Sequence, residues 1–118
     1  MKALSEFQGV YLHKDPVDIR KGINGLSEII QFEEMGDLMG PHLFVFTGRR
    51  RDLIKIVYFD QSGFALWQKR LEKNRFKWPK KLTEETVHLT TEQLGWLLEG
   101  FDVAKMTPFE SLNFEKVC

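Results

Sequence analysis

The sequence predicts a single α+β domain, an antiparallel meander sheet of about four to five strands with an N-terminal helix (about 16–34) and a C-terminal helix (about 91–99). Within residues 43–79, short apolar runs alternate with turn-length polar segments, as antiparallel strands do. On either side of this region, apolar residues recur every three or four positions, which is the spacing of an amphipathic helix. A chain of 118 residues can bury such a core without metal or disulfide staples.

The N-terminal helix is predicted from its start signals and its apolar stripe. It follows a short predicted strand at residues 8–13. Asp15 is a suitable N-cap, Pro16 suits the first helical position, and Asp18 stands where a capping-box acid would stand. The stripe consists of residues at helical spacing, namely Ile19, Ile23, Leu26 and Ile30.

Four strands are predicted in the central region, at residues 43–46, 53–59, 64–71 and 75–78. Polar turns separate them, and the first turn contains three consecutive arginines. The last strand alternates strictly, so that Arg75 and Lys77 lie on the face opposite its two aromatic residues. We expect the aromatic residues to be core and the basic residues to form an exposed outer face.

A fifth short strand at residues 87–89 leads into the C-terminal helix. Thr90 can cap the first turn, and the Gln93 side chain can accept from the Thr90 backbone N–H in return. Gly100 is suited to end the helix. We therefore expect one domain over residues 1–103. A C-terminal tail, residues 104–118, follows it, and the sequence leaves partial disorder of this tail open.

Charge is distributed unevenly along the chain. Its 17 basic and 17 acidic residues cancel in total. Residues 49–81, however, contain eleven basic and three acidic residues, a balance of +8, and the rest of the chain carries −8. The electrostatic field of the molecule is therefore expected to be dipolar, and its neutral total says little about its partners.

Several classes of protein do not fit this composition. The one cysteine, Cys118, excludes an internal disulfide. The chain has no apolar run of about 18 residues and no signal-peptide core at its start, which predicts a cytoplasmic protein without membrane contact. Because no P-loop, dinucleotide fingerprint or His/Cys ligand spacing occurs, we predict no cofactor and no metal site.

The candidate binding residues belong to the basic region. They are Arg49, Arg50, Arg51, Lys69, Arg70, Arg75 and Lys77. Neighbouring guanidiniums in a turn can bind phosphates in a bidentate manner, and basic residues along a sheet can follow a nucleic-acid backbone. The alternative is a solvated turn, with Asp52 pairing one arginine, beside a wet outer face of the sheet. A balance of +8 is more than such a face requires.

An enzyme is the weakest interpretation of the sequence. A metal-dependent nuclease needs converging carboxylates, and the available acids are Asp52, Asp60 and Glu72. Each has a local explanation, as an arginine partner, a turn residue or a balancing charge. We predict no catalytic residue and keep a nuclease only as a remote alternative.

Several motifs are similar to those of one protein family. They are residues 43–46 (LFVF), 49–52 (RRRD), 69–72 (KRLE) and 75–79 (RFKWP), flanked by residues 10–13 (VYLH), 20–23 (RKGI) and 97–100 (LLEG). With these motifs the chain resembles, over about residues 8–103, the small accessory protein of insertion-sequence-66 bacterial transposons. That protein is the TnpB-type (Orf2-like) product of their second open reading frame. Phe59 and Gln68 depart from the family pattern, which usually has a tryptophan and a tyrosine there.

The resemblance implies a non-catalytic accessory factor for DNA transposition. The implied partners are transposon DNA, the transposase and the other accessory proteins of the element, and a homo-oligomer is left open. Together with the charge pattern, this favours binding of DNA phosphates, of the transposase complex, or of both, through a basic sheet and an arginine turn. The alternative is a protein–protein interaction module that docks on an acidic surface of the transposase without touching DNA.

Overall fold

The structure, a computed structural model, describes residues 6–79 and 85–102, which form five strands and two helices. In chain order they are β1 (Gly9–His13), α1 (Ile23–Phe32), β2 (His42–Thr47), β3 (Leu53–Asp60), β4 (Gly63–Arg70), β5 (Thr86–Leu89) and α2 (Thr91–Leu98). Neither helix in this part of the chain has the length and apolar character needed to cross a membrane. The predicted tail, 104–118, lies outside the described residues.

The five strands form one sheet in the order β4-β3-β2-β1-β5. Strands β2, β3 and β4 are the predicted antiparallel meander. Strand β1 lies between β2 and β5, parallel to β2 and antiparallel to β5. The α+β class is confirmed, and the sheet is mixed rather than wholly antiparallel because α1 carries the chain over the sheet between two parallel strands.

Both faces of the sheet are covered, and β3 shows this most directly, since residues 53–58 are buried without interruption. On one face lies α1, which buries Leu26 and Ile30 completely. On the other face lie α2 and the aromatic pair Phe76 and Trp78. Complete burial of a leucine or isoleucine side chain stabilises the fold by about 1.5–3 kcal/mol, so each helix is held mainly by its apolar face.

Helix α1 begins at Ile23 and not near residue 16, as the apolar stripe had predicted. The preceding residues form a connection across the end of β2 instead, where the Val17 N–H donates to the Thr47 carbonyl at 2.9 Å. Asp18 bonds to Arg20 and does not cap the helix. The N-cap is Gly22, which offers no side chain for capping.

Two polar contacts attach the ends of α1 to the sheet. Before the helix, the Lys55 ammonium of β3 donates to the Lys21 carbonyl at 3.0 Å. After it, the buried His13 ring of β1 lies with Nε2 2.8 Å from the Glu33 carboxylate and Nδ1 2.8 Å from the Asp15 carbonyl. The helix is thus held across the sheet from β3 to β1.

Residues 71–78, which we call the return segment, differ from prediction because 75–78 form no strand. The segment leaves β4 and passes the start of β3, where the Phe76 N–H donates to the Arg51 carbonyl at 2.7 Å. At the end of β1, the Trp78 indole N–H donates to the His13 and Lys14 carbonyls. The predicted alternation holds for burial, since both aromatic residues are buried and the basic residues between and before them are exposed.

Helix α2 was predicted closely. The Thr90 hydroxyl accepts from the Gln93 N–H at 3.0 Å, and the Gln93 side chain accepts from the Thr90 N–H at 2.8 Å. This capping box satisfies two backbone donors that the first turn of a helix otherwise leaves unpaired. At the other end of the helix, the Lys69 ammonium of β4 donates to the Leu98 carbonyl at 3.0 Å.

Candidate nucleic-acid interface

Three segments of the chain meet at one end of the sheet. The connection 14–22 reaches the end of β2 through the bond from Val17 to Thr47. The turn 48–52 joins β2 to β3, and the return segment is attached to it by bonds to the Asp52 and Arg51 carbonyls, both 2.7 Å long. We call this region, formed by residues 14–22, 48–52, 70 and 71–77, the basic end of the sheet.

The basic end collects exposed cations from distant parts of the sequence. They are Arg20, Lys21, Arg49, Arg50, Arg70, Lys73, Arg75 and Lys77. Acidic groups lie among them, and two of these are engaged by arginines. Asp52 lies 4.0 Å from the Arg70 guanidinium. Cations nevertheless exceed acids here, so this end of the molecule is positive.

Asp18 and Arg20 form a bidentate pair at the rim of the basic end. The Arg20 Nε and Nη2 each donate to a different carboxylate oxygen of Asp18 at 3.0 Å. These side-chain hydrogen bonds, and a further one from the Arg20 backbone N–H, lower the pKa of Asp18 from 3.8 to about 2. Both groups are therefore ionised at neutral pH, and the charge of Arg20 is largely matched locally.

A groove of about 510 Å³ runs between the connection 14–22 and the turn 48–52. Its charged lining comes from Asp18, Arg20, Arg49, Arg50 and Asp52. Gly48 permits the close approach of the two walls, because a Cβ at this position would lie 2.9 Å from the Ile19 Cβ. The turn that carries Arg49 and Arg50 is therefore packed closely against the connection 14–22.

A second, smaller groove of about 220 Å³ lies between the turn and the return segment. Its charged lining consists of Arg50, Asp52, Glu72, Lys73 and Arg75. Arg50 and Asp52 line both grooves and so stand between them. The two grooves therefore adjoin at the turn, and their guanidiniums present N–H donors that suit phosphate oxygens.

The three consecutive arginines have different surroundings. Arg49 and Arg50 are exposed. Arg51 is half-buried and adopts a left-handed backbone conformation with φ of 58°, which is uncommon for any residue other than glycine. Its Nε is buried and has no hydrogen-bond partner within the described residues. Arg51 thus contributes to the basic end chiefly through its carbonyl, which accepts from the Phe76 N–H and holds the return segment in place.

Lys69 and Arg70 point to opposite faces of the sheet, because successive strand residues alternate. Arg70 lies at the basic end beside Asp52. Lys69 lies on the α2 face, and its ammonium is bonded to the last carbonyl of that helix. Of the predicted site residues, the structure therefore brings together Arg49, Arg50, Arg51, Arg70, Arg75 and Lys77, and it places Lys69 elsewhere.

The three carboxylates considered for a nuclease do not converge. Asp52 and Glu72 share the smaller groove. Asp60 is the last residue of β3 and lies at the other end of an eight-residue strand, which at about 3.3 Å per residue is more than 20 Å away. Within residues 6–79 and 85–102, no group of three His, Cys, Asp or Glu residues is placed to hold a metal ion.

Three members of the basic end were not among the predicted site residues, namely Arg20, Lys21 and Lys73. Arg20 and Lys21 were assigned to the N-terminal helix, away from the central basic region. They reach the site because α1 starts late and the connection before it crosses the end of the sheet. Lys73 carried a usable signal, since it lies in the same basic stretch as Arg70 and Arg75.

Comparison with known proteins assigns the chain to a family. A family model described as "IS66 Orf2 like protein" matches residues 8–108. The chain belongs to the IS66 Orf2-like family. Two relatives come from Sinorhizobium fredii (strain NBRC 101917 / NGR234). The uncharacterized protein y4jC is 33% identical over 87 residues, covering 74% of each chain. The uncharacterized protein y4hO is 32% identical over 93 residues, covering 79% of this chain and 80% of the relative.

No solved structure matches the chain significantly. Membership of the IS66 Orf2-like family gives the protein an accessory role associated with transposition. The family match spans the connection 14–22, the arginine turn and the return segment, so the whole basic end lies within it.

Proposed function

We propose that this IS66 Orf2-like protein is a non-catalytic accessory factor that binds the phosphate backbone of DNA through its basic end. The observation that carries the proposal is the meeting of exposed arginines from the turn and the return segment around two adjoining grooves. These residues are separated in sequence but share one surface.

Exposed arginines without an ion-pair partner among the described residues favour a phosphate as the ligand of this surface. Within the described part of the chain, no hydrogen bond or ion pair engages the side chains of Arg49, Arg50 or Arg75, and all three are exposed. Arginine presents several N–H donors in a plane, which suits the oxygens of a phosphate. Contacts of this kind position a protein on a duplex without reading its sequence. Binding should therefore be strongly salt-dependent and tolerant of sequence.

A second candidate function is docking on an acidic surface of the transposase. The acids within the basic end favour it, because Asp52 and Glu72 line the smaller groove beside Arg50 and Arg75. Two carboxylates so close to the cations repel phosphates, whereas a protein surface of mixed charge can pair with both signs.

Duplex binding tests the first function directly. Labelled element-end DNA and random duplex would be titrated with the full chain at about 50 mM salt and then at rising salt, because counterion release makes the phosphate term largest at low salt. We expect retention of both duplexes and a steep loss as salt rises. Absence of retention at low salt would rule out the DNA proposal.

A pull-down with the transposase after nuclease treatment tests the second function. The protein with Arg49, Arg50 and Arg51 replaced by alanine serves in both assays. If the turn contacts DNA, the variant loses duplex binding and keeps the transposase. If the turn docks on protein, the nuclease-resistant transposase contact is lost instead.

A further inference from the structure

Strand β4 lies at an edge of the sheet. Strand β3 pairs with one side of it, and no strand of residues 6–79 or 85–102 pairs with the other. The Leu71 N–H donates to the Asp52 carbonyl, and antiparallel pairs alternate between bonded and non-bonded positions. Backbone groups of Ala65, Trp67 and Lys69 therefore face β3. Those of Phe64, Leu66, Gln68 and Arg70 face outward.

The first five residues of β4 lack the side chains that often protect an edge strand. They contain no proline and no charge, and all five are half-buried. Leu66 packs with the α1 face of the sheet, and Ala65 and Trp67 pack with the α2 face. A further strand along this edge would bury apolar surface on both faces at once.

We propose that two copies of the chain associate through their β4 edges, antiparallel and about a two-fold axis, to form one continuous sheet. Hydrogen-bonded pairs across the axis must join residues whose backbone groups face outward in both copies. The register that uses all four such residues pairs Leu66 with Gln68 of the second copy and Phe64 with Arg70 of the second copy. It places Trp67 opposite Trp67 of the second copy, in a non-bonded pair where side chains approach most closely.

Charge favours a second copy in this orientation. The charges of β4 are concentrated at its C-terminal end, in Lys69 and Arg70, next to the basic end. Asp60 lies just before its N-terminal end. Antiparallel pairing brings the cationic end of each strand towards the Asp60 turn of the other copy and keeps the two basic ends apart. Parallel pairing would place the two basic ends side by side, where like charges repel.

The proposal is independent of DNA binding, and its test contains no nucleic acid. The mass of the full chain would be measured by sedimentation equilibrium over a dilution series. Amide hydrogen exchange of β4 would be followed by NMR at the highest and lowest concentrations. We expect twice the mass of one chain at high concentration, with slow exchange at Phe64, Leu66 and Gln68 that becomes fast on dilution.

Gln68→Pro is the sharpest variant, with Gln68→Ala as its matched control. Proline at an outward-facing edge position removes no bond to β3, but it removes a donor used twice in the dimer. At about 1 kcal/mol per bond, we expect the dimer to weaken about 30-fold or more, with an unchanged circular dichroism spectrum. Gln68→Ala should leave the dimer intact.

The exchange data on the unaltered chain decide the matter if Gln68→Pro fails to fold. A monomer with fast outward amides would overturn the proposal, because the edge is then open. A monomer whose outward amides are slow at every concentration would also overturn it, because another part of the same chain then covers the edge. A dimer that keeps its affinity with proline at position 68 would assign the contact to a different surface.

Discussion

The salt dependence of DNA binding gives the sharpest test of the basic end. Replacing Arg49 and Arg50 by glutamine removes two exposed guanidiniums that no described residue engages. Each phosphate contact contributes about 0.9 to the slope of log K against log salt on duplex DNA. If each arginine makes one contact, the double variant should have a slope shallower by about 1.8, and each single variant by about 0.9.

The same numbers give a measurable difference in affinity. Between 50 and 200 mM salt, a slope difference of about 1.8 corresponds to a factor of about 12. The unaltered protein should therefore lose about 12-fold more affinity than the double variant over that range. Fluorescence anisotropy with a labelled random duplex at four or more salt concentrations measures both slopes.

Lys69→Gln is the control that separates position from net charge. It removes one cation, but the ammonium of that residue is already bonded to the Leu98 carbonyl at the end of α2 and lines neither groove. Its slope should equal that of the unaltered protein. An unchanged slope in the double variant would refute the assignment of phosphate contacts to the turn. A slope lowered by Lys69→Gln as much as by Arg49→Gln would mean that binding follows total charge.

Three further outcomes concern the scaffold that holds the basic end. Trp78→Phe should lower the free energy of unfolding by about 2 kcal/mol in urea denaturation, because the carbonyls of His13 and Lys14 lose the indole N–H donor and some buried volume is lost. Glu33→Ala should cost about 1–3 kcal/mol in the same measurement, since a buried ring nitrogen of His13 loses its partner. The Asp18–Arg20 pair favours the folded state above the unfolded pKa of Asp18, near 3.8, and this contribution is lost as pH falls towards 2. Arg20→Gln should therefore raise the NMR titration midpoint of Asp18 towards 3.8, and a midpoint that stays near 2 would contradict the pairing.

Local signals in the sequence were sufficient for much of the fold. The capping box of Thr90 and Gln93 and the strand of β3 were predicted because hydrogen bonding and burial there depend on neighbouring residues. The start of α1 was not predicted correctly, since the residues from Pro16 to Asp18 can either begin a helix or cross the end of a strand. The bond from Val17 to Thr47 decides between them, and it joins residues thirty positions apart.

The candidate site was predicted in part for the same reason. Period-two alternation correctly separated exposed Arg75 and Lys77 from the buried aromatic residues, although that stretch is not itself a strand. The same alternation, applied to β4, places Lys69 and Arg70 on opposite faces. The contribution of Arg20 could not be inferred, because it depends on the parallel pairing of β1 and β2, which no local pattern encodes.

The position of β1 between β2 and β5 has a consequence for biosynthesis. Val10 pairs with Leu43 on one side and with Leu89 on the other. The meander of β2 to β4 joins sequence neighbours and can form as soon as it leaves the ribosome. Until β5 emerges, one edge of β1 stays open, and open strand edges are prone to aggregation. Nascent chains that end before β5 is complete should be more sensitive to protease than chains that extend through α2. Among the five described strands, the one that comes first in the chain is thus the last to be enclosed.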